Sequence, residues 1–231
     1  MDFKAGELLL LDKPLDWTSF DVVNKVRNEI RRAYDAKIKV GHAGTLDPKA
    51  TGLLILCTGK KTKTLEQHQG KDKTYIATVK LGATTPCYDT EMEEDAQYPT
   101  AHITEDLIAE TLQSFVGEIE QEVPIFSAVK VNGVRMYKMA RKGEEVERKS
   151  RIIWIRNIHL IKVDMPYVSF EVECSKGTYI RSLAHDLGKA LNSGGYLTGL
   201  QRTKIGDFDL KDAFSVDEFI RGIQGVSILG D

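Results

Sequence analysis

The stretch GHAGTLDPKATG, residues 41–52, sets a single carboxylate, Asp47, among glycines, threonines and a proline. Pro48 disfavours the helical region for the residue before it, so Asp47 is pushed into an extended conformation. Gly41, Gly44 and Gly52 permit tight turns and close approach of a ligand. The result is a carboxylate held at a loop tip by a stiff neighbour. A carboxylate is a weak nucleophile that is already ionised at neutral pH, and it needs an oriented electrophile and a cation to hold it. An Asx-type turn in a polar loop fits the same residues, because Asp favours turns.

Other chemistries find no support. TGLLILCTGKK is not a phosphate loop: Gly52 and Gly59 are too widely spaced, and Lys61 stands where Ser or Thr belongs. The histidines at 42, 68, 102, 159 and 185 show no metal-ligand spacing, so no metal is expected. A GxSxG elbow is absent. A glycosidase would need a second acid, and nothing singles one out of the 34 Asp and Glu residues. Cys57, Cys87 and Cys174 are far apart and form no CxxC pair, which indicates neither a disulfide framework nor zinc and fits a reducing cytoplasm.

The elements that must position Asp47 are legible from periodicity. GELLLLDKP and LLILC (53–57) are apolar runs of strand length. Between them Thr18 or Ser19 caps a helix carrying Val22, Val23, Val26 and Ile30. KTYIATVKLG (73–82) alternates, with Tyr75, Ala77, Val79 and Leu81 on one face. The acidic stretch 88–102 reads as a loop, and Thr104 caps a helix stopped by Gly117. Asn132-Gly133 signals a hairpin, followed by a short basic helix, VRMYKMARK. IIWIRNIHLIKV and YVSFEVECS read as paired strands, and SKGTYIRSLAHDLGKAL as a helix capped at Thr178 or Ser175. LTGLQRTKIGDFDL is strand-like, and Ser215 to Glu218 form a capping box for a last helix. Strands and helices mix without regular βαβ alternation, which gives an α+β class. The 231 residues suit one large domain, or one domain with a small appendage; no apolar run is long enough to span a membrane, and the N-terminus does not read as a signal peptide.

The net charge of −2 hides an asymmetry. Residues 84–122 hold eleven acids and no Lys or Arg, so the other 192 residues carry +9. Within these, residues 135–156 hold eight basic groups against three acids. Such a stripe suits a polyanion partner, and equally a solvated face of mixed charge.

GHAGTLDPKATGLL closely resembles the signature of the TruB family of pseudouridine synthases. Further matches fall in order: LLLDKP, KTYIATVKLG, IFSAVKVNGVRMYKMARKGEEVERK, CSKGTYIRSLAHDLG and LTGLQRTKIGDF, covering about residues 6–220. The resemblance implies a pseudouridine synthase catalytic fold with a mixed, mostly antiparallel central sheet and flanking helices. It implies a single catalytic domain over residues 1–231 with a basic, thumb-like RNA-binding insertion at about 124–152. No segment is long enough for the C-terminal PUA domain of many members, so a core without it is expected, with weaker or more salt-sensitive tRNA binding.

The implied activity is conversion of uridine to pseudouridine at position 55 in the T-loop of tRNA, on a flipped-out base. It is implied without cofactor or metal, by a monomeric cytoplasmic enzyme whose partner is the tRNA T-arm. Asp47 matches the catalytic aspartate, Tyr75 the tyrosine that stacks on the base, and Arg181 the arginine that pairs with the aspartate. His42, Tyr179 and Leu200 match residues lining the pocket or steadying the nucleotide, and Lys13 a lysine beside the site. Tyr75, Tyr179 and Leu200 also read as core residues, Arg181 as a surface charge and Lys13 as a solvated turn. Asp47 can attack base or ribose, or abstract a ribose proton to give a glycal. Ala43 replaces a Thr often seen after the motif His, and TTPCYDTEMEEDAQ departs from the family's TDTxDxxG, so no role is assigned to its residues. A non-catalytic RNA-folding chaperone, and the same chemistry on another RNA uridine, are the rival readings.

Overall fold

The computed structural model describes residues 1–127, 130–131, 134–136, 139 and 149–228. Half of the basic stripe, the Asn132-Gly133 turn and much of the expected basic helix lie outside the described residues. In chain order the elements are β1 (Leu8–Lys13), α1 (Ser19–Tyr34), β2 (Val40–Ala43), β3 (Ala50–Thr58) and α2 (Leu65–Gln69). Then come β4 (Lys73–Leu81), β5 (Ala83–Thr84), β6 (Ala96–Gln97), α3 (Glu105–Ser114), β7 (Gly117–Glu122), β8 (Lys130–Val131) and β9 (Val134–Arg135). The chain continues with β10 (Ser150–Asp164), β11 (Tyr167–Cys174), α4 (Ile180–Ala190), β12 (Gly195–Ile205), β13 (Phe208–Asp209), β14 (Phe214–Ser215) and α5 (Val216–Ile228). They divide into two compact units, residues 1–75 with 200–231, and residues 76–199. The chain passes between the units within β4 and within β12.

In the first unit the strands run in the order β14–β1–β3–β12. β1 is parallel to β14 and antiparallel to β3, and β12 is parallel to β3. The mixed sheet explains the two leucine-rich runs. Leu9 and Leu11 of β1 join Leu54 and Leu56 of β3 in one cluster with Val22, Val26 and Ile30 of α1 and Phe219 and Ile223 of α5. Leu53, Ile55 and Cys57 face the opposite cluster with Ala43 and Ile205. A strand buried on both faces has no polar alternation, which is why LLILC is continuously apolar. Helix α1 begins at Thr18 with a reciprocal capping box to Asp21.

In the second unit the order is β4–β11–β10–β7, with β10 antiparallel to both β11 and β7. Lys73, Tyr75, Ala77, Val79 and Leu81 alternate as the buried face of β4. Strand β7, GEIEQE, gives no apolar-run signal. It forms because all six of its residues pair with β10, from Gly117 opposite Ile155 to Glu122 opposite Ser150.

Helix α4 differs from expectation at its start. The cap residue is Tyr179, which makes no side-chain cap bond. Thr178 instead donates to Ser175 O, and the Ser175 hydroxyl accepts from Trp154 N–H. Ser215 and Glu218 cap α5 reciprocally, as the sequence indicates. No helix is long and apolar enough to cross a membrane among the described residues. The three cysteines are free and buried.

Candidate active site

The loop that carries Asp47 is the connection between β2 and β3, which pair antiparallel from Val40–Thr58 to Ala43–Ile55. It is tied at several points. Ser19 at the start of α1 accepts from Leu46 N–H at 2.8 Å and donates to Leu46 O at 3.2 Å. Asp16 N–H donates to Pro48 O, and Lys49 pairs with the Asp16 carboxylate at 2.8 Å. Ala50 N–H closes a turn on Asp47 O at 3.0 Å. The residues on either side of Asp47 are therefore fixed to helix α1 and to the turn before it, and Asp47 itself is half-buried.

Lys13 is fully buried, not solvated, at 0 % exposure. Its ammonium donates to Pro14 O at 2.9 Å and Trp17 O at 2.6 Å, with Pro48 O at 3.4 Å. Burial pushes its pKa down to about 8, while Asp47 is the foremost charge holding it protonated. Lys13 and Asp47 are thus brought together electrostatically. Burial and the neighbouring Arg202 push the His42 imidazole below its ordinary pKa, against a Gly44 backbone contact that favours its charged form. A neutral ring at pH 7 is the consequence.

Nothing in its sequence context distinguishes Arg202, yet it organises the loop. It is 1 % exposed, and its guanidinium donates to Leu53 O at 2.8 Å and Gly44 O at 3.1 Å. Gly52 has φ +104°, and a Cβ there would lie 2.4 Å from Arg202 O and 2.7 Å from Arg202 N. This glycine admits the backbone of β12, in register with Arg202, rather than a ligand. Leu200 pairs with Ala50 at the first residue of β3 and is half-buried. Tyr75 lies on the buried face of β4.

Arg181 and Tyr179 belong to the second unit, at the start of α4. Arg181 is buried, not a surface charge, and donates to Cys87 O at 3.2 Å and Phe126 O at 3.1 Å. Its Nε lies 3.5 Å from the buried carboxylate of Asp89. Asp89 in turn accepts from Glu91 N–H and from the Cys87 thiol, and Thr85 donates to its carbonyl. The segment that departs from the family pattern therefore builds a compact knot whose acid faces Arg181. Tyr179 is gripped by Gln121, whose carboxamide accepts from Tyr179 N–H at 2.8 Å and donates to Tyr179 O at 3.0 Å.

Arg202, Asp89 and Gln121 escape sequence reasoning for one reason. Each is a polar residue in a polar-looking segment, and burial alone distinguishes it. The closest sequence signal is the placement of Asp89 and Gln121 in the arginine- and lysine-free stretch 84–122. Lys13, Asp47 and the loop braced by Ser19 and Arg202 can present an ionised carboxylate beside a cation. Arg181 and Tyr179 can present a directed guanidinium and an aromatic ring. Among the described residues no group of His, Cys, Asp or Glu is placed to hold a metal.

The TruB family pseudouridylate synthase N-terminal domain matches residues 31–180. A tRNA pseudouridine synthase B of Phocaeicola vulgatus is 58% identical over 220 residues, 95% of this chain and 94% of that relative. Those of Parabacteroides distasonis and Chlorobaculum tepidum are 56% and 51% identical, covering 94% of this chain and 93% and 90% of theirs. Among solved structures, a chain of a Cbf5-Nop10-Gar1 complex superposes with TM-score 0.72 at 28% identity, over 95% of this chain and 54% of that one. A chain of an H/ACA RNP bound to a substrate RNA containing 2'-deoxyuridine gives 0.69 at 25% identity, over 95% and 53%. This chain spans about half the length of those solved chains.

Proposed function

The chain belongs to the TruB family of pseudouridylate synthases, and on that premise we propose that it converts uridine 55 in the T-loop of tRNA to pseudouridine, with Asp47 as the catalytic carboxylate. The observation that carries this reading is identity of 51–58% to relatives named tRNA pseudouridine synthase B, across at least 94% of this chain.

The chemistry suits the residues. The C1′–N1 bond of uridine breaks, the base turns, C5 bonds to C1′, the C5 proton leaves and N1 gains one. Product and substrate are isomers. Asp47 either attacks base or ribose, or abstracts a ribose proton to give a glycal. In this reading Arg181 pairs with Asp47 and holds it ionised by a charge-assisted bond. Lys13, which Asp47 already helps to keep protonated, adds a second cation on the loop side. Tyr75 offers a face to the base, and such stacking is worth about 1–3 kcal/mol per base. The uridine must leave its stack at a cost of a few kcal/mol. Contacts from the basic segment 135–156 to phosphates offset that cost. His42, Tyr179 and Leu200 line the pocket or steady the nucleotide.

The test is incubation with an unmodified tRNA transcript carrying [5-³H]uridine. Tritium release with product mapped to position 55 is expected for the wild type, and none above background for Asp47→Asn. Product at another uridine would move the substrate assignment. Accelerated tRNA refolding without product would replace this reading with an RNA-folding chaperone.

A further inference from the structure

We infer that Gln121 and Arg151 form a two-point clamp that positions the Tyr179 ring for the target nucleotide; this rests on the function proposed above. The two residues are direct cross-strand partners on β7 and β10, so their side chains leave the same face of the sheet. Both end on Tyr179. Gln121, 1 % exposed, uses both ends of its carboxamide on the Tyr179 backbone, bonding the N–H at 2.8 Å and the carbonyl at 3.0 Å. Arg151 lays its guanidinium over the Tyr179 ring, 4.9 Å from the centroid. The same guanidinium donates to Gly177 O at 3.1 Å, which fixes its plane relative to the loop that leads into α4.

The need for such a clamp follows from the local chain. Tyr179 is the extended cap residue of α4, and neither Thr178 nor Ser175 caps the helix. The Tyr179 side chain makes no cap bond to the first turn of α4, so the direction of its ring has to be set by other contacts. Gln121 does not cap the first turn of α4, but it fixes the Tyr179 backbone with a bond pair like one rung of a β ladder. Arg151 then restricts the ring from one face, and Val123 and Met136 pack against it. Among the described residues no carboxylate lies within ion-pair distance of Arg151, and the ring and Gly177 O are its partners there. Gln121 and Arg151 are positioning residues: they act on the reaction through Tyr179.

The experiment compares Gln121→Met and Arg151→Lys with the wild type, each alone and in a Tyr179→Ala background. The readouts are single-turnover pseudouridine formation on saturating tRNA, tRNA affinity, and hydrogen exchange of the peptide containing Tyr179. Misplacing the ring by about an ångström predicts a fall of about 10–100-fold in the rate for Gln121→Met, with affinity within about threefold of wild type. Arg151→Lys, which keeps the charge but not the planar stack, is expected to slow the same step. In the Tyr179→Ala background both substitutions lose their effect on the rate, because the ring through which they act is gone, although the backbone groups that Gln121 bonds remain.

Penalties that persist undiminished in that background overturn the clamp, as do wild-type rates in both single variants. Exchange separates the clamp from the proposed function. Faster exchange at Tyr179 in Gln121→Met supports the clamp even if the wild type makes no pseudouridine on tRNA, an outcome that would sink the functional assignment alone. Unchanged exchange sinks the clamp whatever the activity. Should Gln121→Met not fold, Arg151→Lys, at the half-buried partner position, carries the same comparison.

Discussion

Lys13 and Asp186 are ionisable residues shifted in ways that oppose folding, and they make stability depend on pH in opposite windows. Burial lowers Lys13 from 10.5 to about 8, although Asp47 and Asp16 pull the other way. Between about pH 8 and 10.5 the unfolded chain holds a proton that the native protein has released, so this group makes stability rise with pH there. Below pH 8 the buried charge is a cost, tolerated because three carbonyls and Asp47 surround it. In urea unfolding, the wild type should therefore gain stability relative to Lys13→Met as pH rises through that window. Asp186 is raised from 3.8 to about 6 by burial, with Glu122 acting in the same direction and Lys189 against. Here the native state binds the extra proton between about pH 4 and 6, and the contribution falls as pH rises through that range. Asp186→Asn is expected to be more stable than wild type at pH 7 by about 1 kcal/mol, or about 2–4 °C in thermal midpoint, with the gap closing near pH 4. A midpoint equal to or below wild type at pH 7 would contradict this.

At the scale of elements, the Asp47 loop is held by its neighbours rather than by its own turn chemistry. Ser19, the first residue of α1, takes both polar groups of Leu46. Ser19→Ala leaves two backbone groups of a buried residue unsatisfied, at about 1–3 kcal/mol. Its turnover on tRNA should fall by more than the folded fraction does, because the loop is freed while the helix remains. Thr18, not Ser19, caps α1, so the helix itself survives this change. Gly52→Ala is the harsher substitution. It places a Cβ against the Arg202 backbone at a residue of φ +104°, and the expected outcome is loss of the β3–β12 register and failure to accumulate folded protein. Normal expression with an unchanged melting point would show that β12 yields without cost. The glycines of this loop looked suited to a ligand's approach; at Gly52 the approaching partner is the chain's own strand.

For the whole molecule, the charge distribution bears on the RNA binding proposed for it. Eleven acids lie in residues 84–122, and the remainder is basic by nine charges. Some of those acids are committed internally, as Asp89 is to Arg181 and Glu94 to Lys80. Binding driven by phosphate neutralisation weakens steeply with salt, with log K falling by about 0.7–0.9 per contact for each log unit of salt. Charge-neutral replacement of the basic residues in 135–156 should lower that slope and the affinity together, while the rate on saturating tRNA changes less. A slope unaffected by their removal would place the RNA contacts elsewhere.

The sequence by itself determined most of the elements: both leucine-rich strands, the capped helices α1, α3 and α5, the β10–β11 pair and the alternating face of β4. These follow from periodicity and from caps, which act over a few residues and leave a local trace. It also set Asp47 apart by its loop, and the family resemblance named Lys13, Tyr75 and Arg181 as candidates beside it. Tertiary structure alone decided that Lys13 and Arg181 are buried, that β7 forms, that Tyr179 caps α4, and that Asp89, Gln121 and Arg202 brace the residues around them. The physical reason is common to all of these. A polar side chain has the same local pattern whether it faces water or a distant carbonyl, and only the chain's long-range pairing removes the water and fixes its partner.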